Sequence, residues 1–202
     1  GQPLHVFDAD AVDGTVRIRT STAGESFPAL DGETYTLPEG CIVICDDAGI
    51  LSLAGIMGGM RGRCQLDTRT VLLESASFDP VSIARAGRLT GLHSASRSRF
   101  ERGVDPGACI DAAERAALWM THNTNGVITG YSHIGALPTK QSILFDPHTV
   151  STRCGAQLSM QTIVQRLENW GAVVTPALPL EQTSAPTSHG AGSRSETGAG
   201  NA

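Results

Sequence analysis

Apolar side chains recur at a two-residue period through the first part of the chain and at helical spacing further on. Residues 14–19 (Gly-Thr-Val-Arg-Ile-Arg) alternate apolar and charged side chains, which predicts a half-buried strand. Residues 27–37 read as a hairpin, because Asp31-Gly32 supplies a turn with positive φ between two short runs. Residues 41–45 and 50–54 predict a second strand pair around Asp46-Asp-Ala-Gly49, and residues 71–75 continue the sheet. Asp79 is a suitable N-cap with Pro80 at the first helical position, so a helix is expected to about Leu89. Asp105-Pro106 repeats the device for a longer helix to about Asn123, with Ile110, Ala113, Ala117 and Met120 on one stripe. Residues 126–131 and 142–145 are candidate strands. Met160, Ile163, Val164, Leu167 and Trp170 then define an amphipathic helix, capped by Ser159 and followed by Gly171.

These elements predict an α+β fold: a mainly antiparallel sheet or partly closed barrel flanked by helices, then an incomplete small helical module and a disordered tail. Boundaries are expected near residue 138 for the first domain, at 141–178 for the second, and at 179–202 for the tail. The tail's Ser/Thr/Gly/Ala composition cannot bury a core.

Composition narrows the function classes. No apolar run approaches the ~20 residues of a membrane span, and the start lacks a signal-peptide pattern, so a cytoplasmic protein without membrane partners is expected. The five cysteines, an odd number without an export signal, predict reduced thiols. Cys41 and Cys45 share one face of a strand and read as buried thiols, since no second pair at metal-ligand spacing follows. No metal site is predicted. A net charge of −5 argues against a nucleic-acid partner, but its distribution argues for one. Arg85, Arg88, Arg97, Arg99 and Arg102 stand against the single acid Glu101, a local basic face suited to phosphate.

The candidate chemistry lies in residues 54–106. A glycine-dense turn (Ala-Gly-Ile-Met-Gly-Gly, 54–59) precedes Val-Leu-Leu-Glu ending at Glu74, then the helix opening at Phe78-Asp-Pro, and then an expected arginine-rich turn, Ser-Arg-Ser-Arg-Phe-Glu-Arg-Gly-Val-Asp-Pro at 96–106. With Gly-Gln-Pro-Leu-His-Val-Phe-Asp at the start, these segments together resemble the beta subunit of bacterial phenylalanyl-tRNA synthetase over roughly residues 1–178. The matching part is similar to that subunit's editing domain, which hydrolyses transfer RNA mischarged with tyrosine. Residues 142–178 resemble the start of the next, winged-helix-like domain. Against the family pattern, the chain is expected to lack the front of the editing domain and the end of the second domain.

The resemblance implies roles for particular residues. Glu74 matches the glutamate that senses the tyrosine hydroxyl; taken alone, an acid at a strand end also fits a solvated edge. Gly58 matches a pocket-lining glycine, though a tight turn would also want glycine there. His5 matches a histidine that could orient the attacking water or the terminal ribose; the bland alternative is a structural histidine. Ser94 and Ser96 fall where the family commonly has threonine and alanine against the amino acid, so Ser96 adds an oxygen to a small pocket. Neither has the surroundings of a covalent serine nucleophile. Arg97, Arg99 and Arg102 suit RNA phosphates, with Arg97 read toward RNA and Arg102 toward a structural pair with Glu101 or Asp105. Phenylalanine transfer RNA and an alpha subunit, in a heterotetramer, are the implied partners. ATP and Mg2+ belong to the complete synthetase, with no cofactor held by this chain. A non-catalytic RNA-binding or scaffold piece is the alternative reading, and DNA is not an expected partner.

Overall fold

A computed structural model describes residues 1–136, 139 and 141–176; the tail expected at 179–202 lies outside them. The chain divides between Thr139 and Lys140 into two units.

In the first unit, β1 (Leu4–Asp8) pairs antiparallel with β8 (Val71–Ser75). A four-stranded antiparallel sheet runs β2 (Arg17–Thr20), β5 (Ile42–Cys45), β6 (Ile50–Leu53), β7 (Met57–Gly58), and β3 (Glu25–Pro28) and β4 (Thr34–Leu37) form a hairpin. The hairpin turns where Asp31-Gly32 requires it: Gly32 has φ +90°, and Asp31 Oδ1 accepts from the Glu33 amide at 3.1 Å. A bridge between Ala29 and Gly59 joins the hairpin to the end of β7. The mainly antiparallel α+β architecture therefore holds, distributed over three small sheets.

One hydrophobic core serves all three. Phe7, Phe27, Leu37, Val43, Leu51 and Leu53 are almost fully buried and pack with Ile83, Leu92 and Phe100 from the flanking helices. α1 (Pro80–Thr90) begins with the Asp79 carboxylate accepting from the Ser82 amide and ends at Gly91 in the left-handed region, as the capping signals require. α3 (Ala108–Thr124) lays its half-buried stripe, which includes Ile110 and Met120, against β8. In the second unit, α4 (Pro147–Cys154) is capped by Asp146 and α5 (Met160–Asn169) by Ser159, with Ile163 buried and Gly171 at φ +90° beyond the end.

Five expectations are corrected. β2 is exposed along its whole length, with Ile18 64% accessible, because it is an edge strand that nothing among the described residues covers. Residues 71–75 form their own two-stranded sheet with β1, a strand the period-two pattern missed, instead of extending the larger sheet. The long helix starts at Ala108, because the Asp105 carboxylate caps the Gly107 amide locally and turns the chain first. Residues 98–100 are not in a turn but complete a short helix, α2 (Ala95–Phe100). Residues 126–131 and 142–145 form no strand: no neighbouring strand among the described residues takes up their backbone groups, and Val127, Tyr131, Ile143 and Leu144 stand exposed.

The Asp46 side chain is fully buried and organises the β5–β6 turn. It accepts from the amides of Asp13 (2.7 Å), Ala48 and Gly49 (3.0 Å each) and pairs with Arg61. Burial pushes this carboxyl up, but Arg61 and the amides outweigh it and hold the pKa at about 2, below the ordinary 3.8. The stability it contributes is therefore present above pH 3.8 and is lost as pH falls through about 2. Asp46→Asn is expected to cost about 2 kcal/mol at pH 7 in urea unfolding, less than stranding a fully buried charge because the partly exposed Arg61 can turn to water. The difference from the parent should shrink as pH approaches 2.

Candidate functional site

The β1–β8 register sets His5 directly opposite Glu74. Opposed residues of an antiparallel pair point to the same face, so imidazole and carboxyl stand side by side. Phe7, two residues along the same face, is 1% exposed and meets the His5 ring edge-to-face with centroids 4.5 Å apart. His5 and Glu74 open into a cavity of about 90 Å³, lined also by Ser52, Gly58, Ser96 and Phe100.

Gly58 is there for space. A Cβ at this position would lie 2.6 Å from Leu30 Cδ1 and 3.0 Å from His5 Nε2, so the imidazole rests on bare backbone. Gly55 needs glycine doubly: its φ is +67°, and a Cβ would stand 3.0 Å from the rings of Phe78 and Phe100.

Glu74 has no hydrogen-bond or ion-pair partner among the described residues, and burial alone pushes its pKa to about 7. Burial also lowers the His5 pKa below 6.5, so the imidazole is uncharged at neutral pH. An uncharged ring keeps a lone pair for accepting a proton. A carboxyl titrating near 7 converts from donor to acceptor in the physiological range.

The wall opposite β8 is fastened to α2. Ser94 caps that helix, accepting from the Arg97 amide at 3.0 Å while its hydroxyl donates to the Ile56 carbonyl at 2.7 Å. Ser96 donates to the Gly55 carbonyl at 3.0 Å. Thus His5, Glu74, Gly58 and Ser96 are brought together at the cavity, whereas Ser94 stands behind its wall as a fastening.

The arginines sort differently from the sequence reading. Arg97 is 8% exposed. It donates to the carbonyls of Gly87 (3.1 Å) and Leu92 (2.5 Å) and to Glu101 (3.0 Å), and it lies where a Cβ on Gly87 would be. A guanidinium so enclosed has no face left for phosphate, so its role is to lock α1 to α2. Arg99 and Arg102 are exposed and have no ion pair among the described residues. Glu101 is engaged by Arg97 and Asp105 by the Gly107 amide, so neither acid holds Arg102.

Among the lining residues that were not singled out from the sequence, one is polar. Ser52, on β6, is 4% exposed, and its opposite residue on β7 is Gly58. A lone hydroxyl inside the apolar run Ile-Leu-Ser-Leu-Ala was the available signal.

The B3/4 domain family matches residues 1–125 of the chain. Among known proteins, the phenylalanine–tRNA ligase beta subunit of Corynebacterium glutamicum is 38% identical over 191 residues, covering 94% of this chain and 23% of the relative. That of Rhodopseudomonas palustris is 37% identical over 187 residues (92% and 23%), and that of Cereibacter sphaeroides 42% over 158 residues (78% and 20%). The chain thus spans less than a quarter of the length of these relatives.

The unpartnered carboxyl makes the site costly at high pH. Its folded pKa of about 7 lies above the ordinary 4.5, so its protonated form is accommodated below pH 4.5 and stability is lost as pH rises through 7. Glu74→Gln, which keeps shape without charge, is therefore expected to melt with the parent at pH 4.5 and several degrees above it at pH 8 in calorimetry.

Proposed function

Given that the chain belongs to the B3/4 domain family, we propose that this cavity hydrolyses the ester joining tyrosine to phenylalanine transfer RNA. The observation carrying this reading is the cross-strand pair of His5 and Glu74 beside Gly58 in one cavity. A site shaped for phenylalanine refuses tyrosine only weakly, since an apolar pocket rejects an added hydroxyl by about 10²-fold. A second site that demands the hydroxyl discriminates far better, because phenylalanine would leave its polar partner buried and unpaired. Glu74 has the required chemistry: desolvated, without a partner among the described residues, and as a carboxylate able to accept the phenolic proton.

In this reading the uncharged His5 imidazole accepts a proton from water as the water oxygen bonds to the ester carbonyl carbon. The bond from that carbon to the ribose oxygen then breaks, and the ribose oxygen takes up the proton. Free tyrosine and a transfer RNA with its hydroxyl restored are the products. Arg99 and Arg102, exposed and without an ion pair among the described residues, are suited to hold the phosphates of the acceptor end. The alpha subunit of a heterotetramer in the cytoplasm is the partner expected for the complete synthetase. The ATP and Mg2+ of aminoacylation belong there, and nothing in this chain is read as holding them.

The test is release of free tyrosine from mischarged phenylalanine transfer RNA by the recombinant chain. Glu74→Ala should reduce the preference for tyrosine over phenylalanine by at least tenfold, and the parent's preference should be greater at pH 8 than at pH 6, as Glu74 ionises near 7. Transfer RNA that binds but stays charged would leave only a non-catalytic RNA-binding or scaffold role.

A further inference from the structure

Ser52 is 4% exposed and lines the cavity, and its hydroxyl makes no hydrogen bond to protein among the described residues. Among the described residues the side-chain polar atoms sealed off without a partner are Gln2 Oε1 and Arg61 Nε, so the Ser52 hydroxyl is open to the cavity and free to meet what binds there. Nothing on its own strand explains it: Leu51 and Leu53 on either side are core residues at 0% and 1% exposure. Its cross-strand neighbour is Gly58, and opposed side chains in a β pair stand about 5 Å apart on one face. Where the Gly58 side chain would be, the His5 ring sits, with Nε2 3.0 Å from the absent Cβ. Ser52 and His5 therefore face the same small volume from two sheets, and the ring nitrogen Nε2 also has no partner among the described residues.

The other polar groups there differ in what they offer. Ser96 has directed its one proton to the Gly55 carbonyl, so it presents only lone pairs to the cavity. Glu74, once ionised, also only accepts. Ser52 is the hydroxyl whose proton is uncommitted.

We propose that Ser52 is a substrate-binding residue, whose hydroxyl donates a hydrogen bond to an oxygen of the bound aminoacyl ester next to His5 Nε2. This rests on the hydrolytic reading above and adds to it the donor that the carbonyl oxygen of the ester needs as it gains negative charge. Such a donor must be buried, fixed by the backbone and free of competing partners. A serine in the middle of a buried strand meets all three conditions.

The test uses a non-hydrolysable tyrosyl-adenosine analogue, with an amide in place of the ester, titrated calorimetrically into the full chain and its Ser52→Ala variant. Because the hydroxyl has no partner among the described residues, Ser52→Ala should melt at or above the parent temperature while binding the analogue about tenfold more weakly. Ser52→Thr, which keeps the donor, should recover most of that affinity if it also melts with the parent. With mischarged transfer RNA, Ser52→Ala should lower kcat and leave the tyrosine-over-phenylalanine ratio, set by Glu74, unchanged. Equal affinity of parent and Ser52→Ala for the analogue, or no binding by the parent, would overturn the role of Ser52. Equal affinity together with tyrosine release that still depends on Glu74 would leave the hydrolytic reading standing. Loss of affinity on Ser52→Ala without any tyrosine release by the parent would keep the binding role and remove the hydrolysis.

Discussion

The antiparallel seating of β1 on β8 is the constraint from which the site follows. It sets an imidazole from the start of the chain against a carboxyl about seventy residues later, on one face and over one cavity. A slip of one residue would turn Glu74 to the opposite face and leave Leu73 or Ser75 opposite His5. Phe7, buried on the same face as His5, opposes such a slip, because it would have to leave the core. Hydrophobic packing thus holds the register, and the register holds two polar groups where water is scarce. Their shifts in opposite charge sense, an acid that resists ionising and a base that resists protonation, have the same cause.

The remaining polar networks keep that cavity's walls still. Ser94 and Ser96 tie the loop carrying Gly55 and Ile56 to the first turn of α2. Arg97 in turn bonds α2 to carbonyls at the end of α1, in a space that exists because residue 87 is glycine. On the far side, Asp46 and Arg61 join the β5–β6 turn to the segment leading out of β7. None of these groups touches the cavity's contents except Ser96, yet each fixes an element that lines it.

Much of this was legible in the sequence because the signals were local. The Asp79-Pro80 helix start, the Asp31-Gly32 hairpin and the Ser159 cap are decided within a few residues, and they occur where expected. β1 was missed because five residues with an internal histidine and a terminal aspartate carry little periodic signal, and its partner is remote. Residues 126–131 had strand composition, but a strand needs a neighbour, which composition cannot supply. The positions of His5, Gly58, Glu74 and Ser96 came from a resemblance of motif order and not from periodicity. Arg97 could not be told from Arg99 by charge, since burial depends on which helix face meets Gly87. Ser52 escaped for a similar reason: a serine among leucines looks like a tolerated polar residue until its cross-strand neighbour is known to be Gly58.

The central claim is that a desolvated glutamate recognises a ring hydroxyl. Its most direct test is a carbon-13 NMR titration of the Glu74 side-chain carboxyl, assigned by comparison with Glu74→Gln, alone and with saturating tyrosine or phenylalanine amide-linked to adenosine. An apparent pKa near 7, with a carboxyl resonance that responds to the tyrosyl compound and not the phenylalanyl one, is the predicted result. A carboxyl that titrates near 4.5 and responds alike to both compounds would contradict it.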